Sequence, residues 1–249
     1  MDSHTESRTP AVPPTLRTFF IDGPAGRLEA LLDPGHASAP CSVVLAHPHP
    51  LGGGSMHNKV VYHAARVFRD LGWPTLRFNF RGVGLSEGTH DGHAEADDLA
   101  AALTWLEKTK LEKARHDEFP LPDTQTHRPI LAAGFSFGAA ITLAVAATHR
   151  SVCACLALGL PLRSPNQQYA YPQLAHWSLP SLFLSGAQDS FASPQALAAT
   201  IALAAPHAQL RLIPDADHFF TGHLDAMQQA IRDWLATLPL IQRTTSSAL

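Results

Sequence analysis

Short apolar runs alternate along this chain with segments that have helical spacing or helical length. The apolar runs predict strands at Ser42–Ala46, Pro74–Phe80, Pro129–Ala133, Val152–Leu158, Ser181–Ser185 and Leu210–Ile213. The segments between and after them predict helices at Asn58–Leu71, Ala94–Leu111, Ala139–Ala147, Pro194–Ala204 and His223–Leu235. Strands that alternate with helices of this length are typical of βαβ units and a mostly parallel sheet.

Two further strand-like segments precede these units and predict a hairpin. Leu16–Ile21 and Arg27–Leu32 flank Asp22–Gly26, which contains the glycine and proline residues typical of a tight turn. Because a tight turn joins antiparallel strands, we place this hairpin at one edge of the sheet. The predicted fold class is therefore α/β: a three-layer sandwich with a mostly parallel central sheet of about eight strands and helices on both faces.

The chain has 249 residues, the length of one large α/β domain, and no linker between two smaller domains is recognisable. We predict a single domain over residues 15–237, between a flexible lead-in at 1–14 and a tail at 238–249. The polar, proline-containing stretch 112–128 predicts a surface loop. Residues 159–179 lack periodicity and are too few for a separate domain, so we expect no large lid over the fold.

Composition narrows the class of protein. Hydrophobic residues make up 45% of the chain and charged residues 16%, which is ordinary for a globular protein with a substantial core. The net charge of −3 gives no sign of a nucleic-acid-binding surface. The sequence has neither an apolar leader nor a run of 18 apolar residues, so we expect a soluble, cytoplasmic protein with no membrane partner. The oligomeric state is not indicated.

The three cysteines, Cys41, Cys153 and Cys155, do not suggest a disulfide framework. Cys153 and Cys155 stand two apart in a predicted strand, so we expect them to share one face and not to pair with each other. We interpret all three as buried, reduced thiols.

One motif combines a sharp turn with a reactive side chain. The predicted strand Pro129–Ala133 runs into Gly134-Phe135-Ser136-Phe137-Gly138, and an apolar helix follows. A strand, then G-x-S-x-G, then a helix is the context of a nucleophile elbow, which exposes the serine hydroxyl at the tip of the turn. The helix N-terminus favours developing negative charge at the same point. The alternative is a glycine- and serine-containing turn without a catalytic role.

A serine nucleophile needs a histidine base, and the histidine needs a carboxylate to orient it. In an open parallel sheet such residues gather beyond the carboxyl ends of the strands. Asp189 follows the strand Ser181–Ser185, and His218 follows the strand Leu210–Ile213. We therefore predict Ser136, Asp189 and His218 as the catalytic residues.

Alternatives remain for the acid and the base. The chain contains 15 histidines, and a loop histidine is usually a solvated surface residue. His218, however, lies just after the last strand and before the last helix. Asp215 and Asp217 compete with Asp189, but both are so near His218 in sequence that they more readily shape its turn than reach its ring.

An oxyanion hole requires two backbone N–H groups aimed at the developing negative charge. One should be the amide of Phe137, and the other should come from the loop after the Ser42–Ala46 strand. Pro48 and Pro50 have no amide hydrogen. The remaining donors in that loop are His47, His49 and Leu51. We predict His49, two residues past the strand end. A metal site at His47 and His49 lacks a third ligand at a recognisable spacing, so we expect neither metal nor cofactor.

Aromatic residues in the 159–179 segment suggest a modest, partly open substrate pocket. Tyr169, Tyr171 and Trp177, with Leu51 from the loop after the first central strand, are its candidate walls. The alternative is that these aromatic rings pack on the body of the domain. No interfacial amphipathic segment is present, which argues against a lipase that works on aggregated substrates.

These motifs together resemble the α/β-hydrolase superfamily. The similar stretches are Gly134–Gly138, the Gly186 to Asp189 turn, the Asp217-His218 pair and the loop Asn79–Ser86. The stretch His47-Pro48-His49-Pro50, with Gly52-Gly53 and Asn58-Lys59-Val60 after it, resembles small bacterial hydrolases of the dienelactone-hydrolase-like and carboxylesterase type. The resemblance covers roughly residues 15–237.

That resemblance implies a serine hydrolase that cleaves small, soluble carboxylic esters through an acyl-enzyme. Dienelactone hydrolases proper use a cysteine nucleophile, so Ser136 argues against that lactone chemistry. A thioesterase, an acyltransferase or a serine peptidase would use the same groups. A hydrolase-like scaffold that only binds a ligand is the alternative from outside the enzymes.

Overall fold

The structure is a computed structural model that describes residues 17–109, 128–165 and 167–239. The strands of this part of the chain are β1 (Arg17–Gly23), β2 (Gly26–Asp33), β3 (Ser42–Ala46), β4 (Thr75–Phe78), β5 (Ile130–Phe135), β6 (Val152–Leu158), β7 (Arg163–Ser164), β8 (Gln167–Gln168), β9 (Ser181–Gly186) and β10 (Ala208–Ile213). The helices are α1 (Lys59–Asp70), α2 (Glu95–Glu107), α3 (Phe137–Ala146), α4 (Pro194–Ile201) and α5 (Leu224–Leu235).

Eight strands form the central sheet in the order β1-β2-β4-β3-β5-β6-β9-β10. β2 pairs antiparallel with both β1 and β4, and all other pairs in this sheet are parallel. The mostly parallel sheet with an antiparallel hairpin at one edge is therefore confirmed. Parallel strands place their carboxyl ends at the same edge of the sheet, where the loops after β3, β5, β9 and β10 meet.

Helices cover both faces of the sheet, which confirms the predicted three-layer sandwich. One core cluster contains buried residues of α2, α3 and α4, such as Leu103, Leu143 and Leu197. The other contains buried residues of α1 and α5, such as Phe68 and Trp234. A sheet covered on both faces explains why β3 and β5 are buried at every position and read as continuous apolar runs.

Several predicted boundaries shift in the structure. α3 begins at Phe137, two residues before the predicted helix, so that Gly138 lies within its first turn. β4 ends at Phe78 and not at Phe80, since the amide of Phe80 donates to a histidine ring instead of a neighbouring strand. The lead-in 1–14, most of the predicted loop 112–128 and most of the tail 238–249 lie outside the described residues.

The prediction that Cys153 and Cys155 share a face is wrong. The register between β5 and β6 shifts near Ile130, where Val152 and then Ala154 are the paired residues and Cys153 is the extra one. This irregularity turns Cys153 toward the α1/α5 side, while Cys155 packs on the other side. Cys155 is buried, Cys153 is half-buried, and both are free thiols.

The connection between β6 and β9 is short and forms no separate domain in its described part. It contains the two-residue strands β7 and β8 and a 3₁₀ helix at Pro172–His176. Two-residue strands show no hydrophobic alternation, so the sequence pattern did not predict them. Within the described ranges, no helix is long and apolar enough to cross a membrane.

Candidate active site

Ser136 occupies the turn between β5 and α3 in an unusual backbone conformation. Its φ is 55° and its ψ is −120°, a region that a residue with a Cβ rarely adopts and that costs on the order of 1–3 kcal/mol. The Ser136 amide donates to the Leu158 carbonyl at 2.9 Å, which ties the turn to β6. The fold thus holds one serine in a strained, fixed position at the carboxyl edge of the sheet.

The two glycines of the motif are required by close packing. A Cβ on Gly134 would overlap the Gly138 carbonyl and lie 2.6 Å from Thr142 Oγ1. A Cβ on Gly138 would lie 2.5 Å from the carbonyl oxygen of His47 and 2.6 Å from that of Ala46. The start of α3 therefore packs directly on the end of β3, and the loop after β3 is held beside Ser136.

The structure brings the predicted serine, histidine and aspartate together. His218 Nε2 lies 2.9 Å from Ser136 Oγ, and His218 Nδ1 lies 2.8 Å from Asp189 Oδ2. All three side chains are buried. An ionised carboxylate only accepts hydrogen bonds, so a proton on Nδ1 faces Asp189 and leaves Nε2 free to accept the serine proton.

Two neighbours that sequence reasoning missed hold the Asp189 carboxylate. The Phe191 amide donates to Oδ1 at 2.8 Å, and the Ser185 hydroxyl donates to Oδ2 at 3.0 Å. Ser185 faces Asp189 because it lies at the end of β9, four residues before it. Both oxygens are thereby oriented, and Oδ2 is aimed at the His218 ring.

The loops that carry Asp189 and His218 are packed on each other. A Cβ on Gly186 would overlap the carbonyl oxygens of Ala216 and Asp217, so only glycine fits there. The Gln188 amide donates to the Ala216 carbonyl at 2.9 Å. These backbone contacts fix the distance between Asp189 and His218 independently of their side chains.

Asp215 and Asp217, the alternatives to Asp189, make hydrogen bonds to groups other than the His218 ring. Asp217 Oδ1 accepts from the amides of Thr221 at 2.9 Å and Phe219 at 3.0 Å, and so shapes the turn that carries His218. The hydrogen bond from Thr221 is the main cause that lowers the pKa of the Asp217 carboxyl. Asp215 Oδ1 faces the Gln188 side chain at 3.4 Å. The carboxylate hydrogen-bonded to the His218 ring is Asp189.

Aromatic rings enclose the His218 imidazole. The ring centres of Phe191, Phe135 and Phe219 lie 4.2, 5.1 and 5.1 Å from that of His218. A Cβ on Gly159 would lie 3.2 Å from His218 Cε1, so the backbone closes a further side. This packing restricts rotation of the imidazole, which is 4% exposed.

The side chains of the two residues predicted to supply the oxyanion donors are in contact. Phe137 is the first residue of α3, where a backbone N–H has no acceptor within the helix. The rings of His49 and Phe137 are 4.9 Å apart, which places the loop after β3 against the elbow. The alternative donor, the Leu51 amide, is hydrogen-bonded to His49 Nδ1 at 3.2 Å.

His47 is engaged through both of its ring nitrogens. Nε2 accepts from the Phe80 amide at 3.0 Å, and Nδ1 lies 2.6 Å from the Pro48 carbonyl oxygen. Burial lowers the pKa of His47 to about 4. This arrangement does not fit a metal ligand, and no group of three or more His, Cys, Asp or Glu residues in the described part of the chain could hold a metal ion.

The loop after β4 packs beside the elbow. The rings of Phe80 and Phe137 lie 5.8 Å apart in an edge-on arrangement. Arg81 and Asp98 form a buried ion pair at 2.7 Å that ties this loop to α2. The loop in turn presents the Phe80 amide to His47.

Sequence reasoning also missed a buried carboxylate and a histidine near this loop. His90 Nδ1 lies 2.6 Å from Glu95 Oε1, and the His90 ring lies 4.8 Å from that of His49. Burial and the neighbouring His90 lower the pKa of His49. Their spacing in the sequence carries no recognisable motif, so only the fold shows that they meet.

The candidate pocket aromatics mostly pack on the body of the domain. Trp177 donates from Nε1 to Ser181 Oγ at 2.8 Å, at the amino end of β9, whereas Asp189 follows its carboxyl end. The prediction of Trp177 as a pocket wall is therefore wrong. Tyr171 is buried in the core and donates to the Pro161 carbonyl at 2.5 Å, with half-buried Tyr169 stacked beside it. These two follow the alternative interpretation.

Leu51 is placed differently from the aromatic candidates. It lies in a short 3₁₀ helix directly after His49, and 84% of its surface is exposed. Phe219, the residue after His218, is 46% exposed. In the sequence these two apolar residues lie two positions after His49 and one position after His218, respectively.

Comparisons with known proteins agree with this architecture. A family model described as an α/β hydrolase domain matches residues 39–235. An uncharacterised protein of Rickettsia prowazekii is 34% identical, over 88% of this chain and 89% of that protein.

Two solved structures are similar in fold and sequence. One is an α/β serine hydrolase homologue from Coxiella burnetii, with a TM-score of 0.71 and 32% identity over 86% of this chain and 94% of that one. Another, from Xanthomonas campestris, is described as an α/β serine hydrolase without a lid. It has a TM-score of 0.71 and 30% identity over 93% of this chain and 99% of the other. The chain described here therefore belongs to the α/β-hydrolase family.

Proposed function

We propose that this protein is a serine hydrolase that cleaves small carboxylic esters through an acyl-enzyme. The observation that carries the proposal is the buried series of hydrogen bonds from Ser136 Oγ to His218 and from His218 to Asp189, at 2.9 and 2.8 Å. The strained backbone of Ser136 supports it, since such strain concentrates at functional sites. Membership of a hydrolase family supports hydrolysis as the reaction class.

In the first half of the reaction, His218 Nε2 accepts the hydroxyl proton as Ser136 Oγ attacks the acyl carbon. Asp189 orients the imidazole and stabilises the imidazolium that forms. The amides of His49 and Phe137 donate to the oxyanion of the tetrahedral intermediate. His218 then protonates the leaving alkoxide, the acyl–oxygen bond breaks, and the alcohol departs.

In the second half, water takes the place of the alcohol. His218 removes a proton from the water as its oxygen attacks the acyl carbon of the ester formed with Ser136. The same two amides stabilise the second tetrahedral intermediate. Collapse of this intermediate returns the proton to Ser136 Oγ and releases the carboxylic acid.

The small substrate is inferred from what surrounds the serine. The β6–β9 connection is too short to form a lid domain. The Xanthomonas relative is described as having no lid, which supports an open site in this protein. We assign Leu51 and Phe219, both exposed, to the rim of a shallow apolar site. Such a rim suits a short acyl or alcohol group.

Covalent labelling tests the proposal directly. A fluorophosphonate should label the wild-type protein at Ser136, and pre-incubation with an ester substrate should slow the labelling. Absence of labelling would favour the non-catalytic scaffold. Labelling with turnover of thioesters or amides but not oxygen esters would favour the thioesterase or peptidase alternative, and transfer to an added alcohol would favour an acyltransferase.

Acyl chain length gives a further prediction. Across acetate, butyrate, octanoate and laurate esters of one alcohol, kcat/KM should be highest for the short acyl groups and fall for the long ones. Methylenes beyond a shallow site stay in water and gain none of the about 0.8 kcal/mol each that burial supplies. A clear preference for laurate would contradict the shallow site.

The oxyanion donor can be tested because the backbone at His49 suits proline. Its φ is −53°, close to the value that a proline ring imposes. His49→Pro removes the amide hydrogen and should lower kcat by about 10²–10³, the loss measured for one such donor elsewhere. His49→Ala keeps that hydrogen and should lower kcat far less.

Melting curves should first establish that both His49 variants are folded. Equal losses in the two would assign the effect to the imidazole instead of the amide. An unchanged kcat in His49→Pro would move the donor to another amide of the loop.

A further inference from the structure

The peptide bond between Pro48 and His49 carries the proposed oxyanion donor, so its orientation decides where that N–H points. This peptide is trans, and in a planar trans peptide the C=O and N–H groups point in opposite directions. A group that holds the Pro48 carbonyl therefore also aims the His49 amide.

The His47 imidazole is that group. Its Nδ1 lies 2.6 Å from the Pro48 carbonyl oxygen, while its Nε2 faces the Phe80 amide at 3.0 Å. A ring nitrogen accepts from an N–H only when it is unprotonated, so the proton of neutral His47 must lie on Nδ1. His47 thus donates to the Pro48 carbonyl and accepts from the loop after β4. It is fully buried, so the ring has no freedom to leave this position.

Gly54 packs against the same carbonyl group. A Cβ there would overlap the Pro48 carbonyl oxygen and lie 2.6 Å from the Pro48 carbonyl carbon. The Gly54 amide also donates to the His49 carbonyl at 3.1 Å. The Pro48 carbonyl is therefore held by an imidazole that hydrogen-bonds to it and by a neighbouring backbone that leaves it little space to move.

We propose that His47 is a positioning residue of the oxyanion hole: through the Pro48 carbonyl it aims the His49 amide at the oxyanion. This rests on the proposed function, since it presupposes that the His49 amide stabilises a tetrahedral intermediate. His47 does not touch the substrate. Its effect is confined to interactions that are made in the transition state.

Two substitutions separate the two hydrogen bonds of His47. The side-chain amide of asparagine lies near the Nδ1 position, so His47→Asn can still donate to the Pro48 carbonyl but leaves the Phe80 amide unpaired. The side-chain amide of glutamine lies near the Nε2 position, so His47→Gln can still accept from Phe80 but loses the donor to Pro48. Melting temperatures identify which variants are folded.

The readouts are kcat and KM for a short-chain ester, and the Ki of a trifluoromethyl ketone that forms an oxyanion on Ser136. His47→Gln should lower kcat by about 10- to 100-fold, less than the 10²–10³ expected for complete loss of a donor. Its Ki should rise in proportion, because the adduct resembles the transition state, while KM stays near the wild-type value. His47→Asn should retain most of kcat even if its melting temperature falls.

A second pair of variants tests the same peptide through Gly54. Gly54→Ala forces the Pro48–His49 peptide to move and should repeat the pattern of His47→Gln, with a lower kcat and a higher Ki. Gly52→Ala is the matched control in the same loop, since a Cβ at Gly52 meets no atom within 4 Å. This pair gives a result even if the His47 variants do not fold.

The outcomes separate the positioning role from the proposed function. If the wild-type protein neither turns over esters nor reacts with a fluorophosphonate, the proposed function fails and this inference fails with it. If the wild type is active, His47→Gln with wild-type kcat and Ki overturns the positioning role alone. A larger kcat loss in His47→Asn than in His47→Gln would also overturn it, because the Phe80 bond would then carry the effect.

Discussion

Replacing Ser136 by alanine is expected to abolish ester hydrolysis and fluorophosphonate labelling while leaving the fold intact. The hydroxyl is the only part of the side chain that the mechanism uses, and in a related triad enzyme loss of the nucleophile lowered kcat by about 10⁶. Alanine retains a Cβ, so the strained backbone at φ 55° is no worse accommodated than in the wild type. Single-turnover and steady-state assays on one short-chain ester measure the loss.

The control for this variant is its stability. Loss of one buried hydrogen bond to His218 should change the melting temperature only slightly, since a typical hydrogen bond contributes about 0.5–1.5 kcal/mol net. Substantial ester turnover by a preparation of Ser136→Ala free of wild-type enzyme would end the serine-hydrolase proposal. Labelling of that variant would place the reactive nucleophile elsewhere in the chain.

Replacing Asp189 by asparagine should lower kcat by about 10⁴, by analogy with the same change in another triad. Asparagine fits the space, but its amide donates where the carboxylate accepted. The imidazole of His218 then favours the tautomer with its proton on Nε2, which cannot accept from Ser136. Binding of substrate does not involve this group, so KM should change much less than kcat.

Asp217→Asn is the matched control, because Asp217 is adjacent to His218 in sequence and carries the same charge. Its side-chain oxygen can still accept from the Phe219 and Thr221 amides in the amide form, so kcat should fall far less. Asp215→Asn should likewise have a small effect. A crippling loss in Asp217→Asn with a mild one in Asp189→Asn would reverse the assignment of the acid.

Most of the fold could be predicted from the pattern of apolar and polar residues over short stretches of the sequence. A buried parallel strand is apolar at nearly every position, and a helix that covers the sheet has one apolar face. Both patterns can be recognised within about 5 to 15 consecutive residues. The places where prediction failed depend on contacts that are distant in sequence. β4 ends before the predicted position because the Phe80 amide donates to His47, 33 positions away. Cys153 lies on the face opposite to Cys155 because the register between β5 and β6 is irregular.

The same division applies to the candidate site. Ser136, Asp189 and His218 were predictable because each follows a predicted strand. The loops after parallel strands meet at the same edge of the sheet, so residues in these loops are expected to lie close together. The walls of the pocket were not predictable. Whether Trp177 faces the carboxyl or the amino edge depends on how the β6–β9 connection crosses the sheet, and its aromatic character is the same in both cases.

The sequence by itself therefore determined the α/β class, the elbow and the order of the three polar residues that meet at His218. Each of these depends on local spacing and chain order. Only the tertiary structure decided which groups hold them: Ser185 on Asp189, Gly186 against the loop of His218, and His47 on the Pro48 carbonyl. Such contacts join distant segments through directed hydrogen bonds and close backbone packing, and hydrophobic periodicity does not specify which distant groups meet in this way.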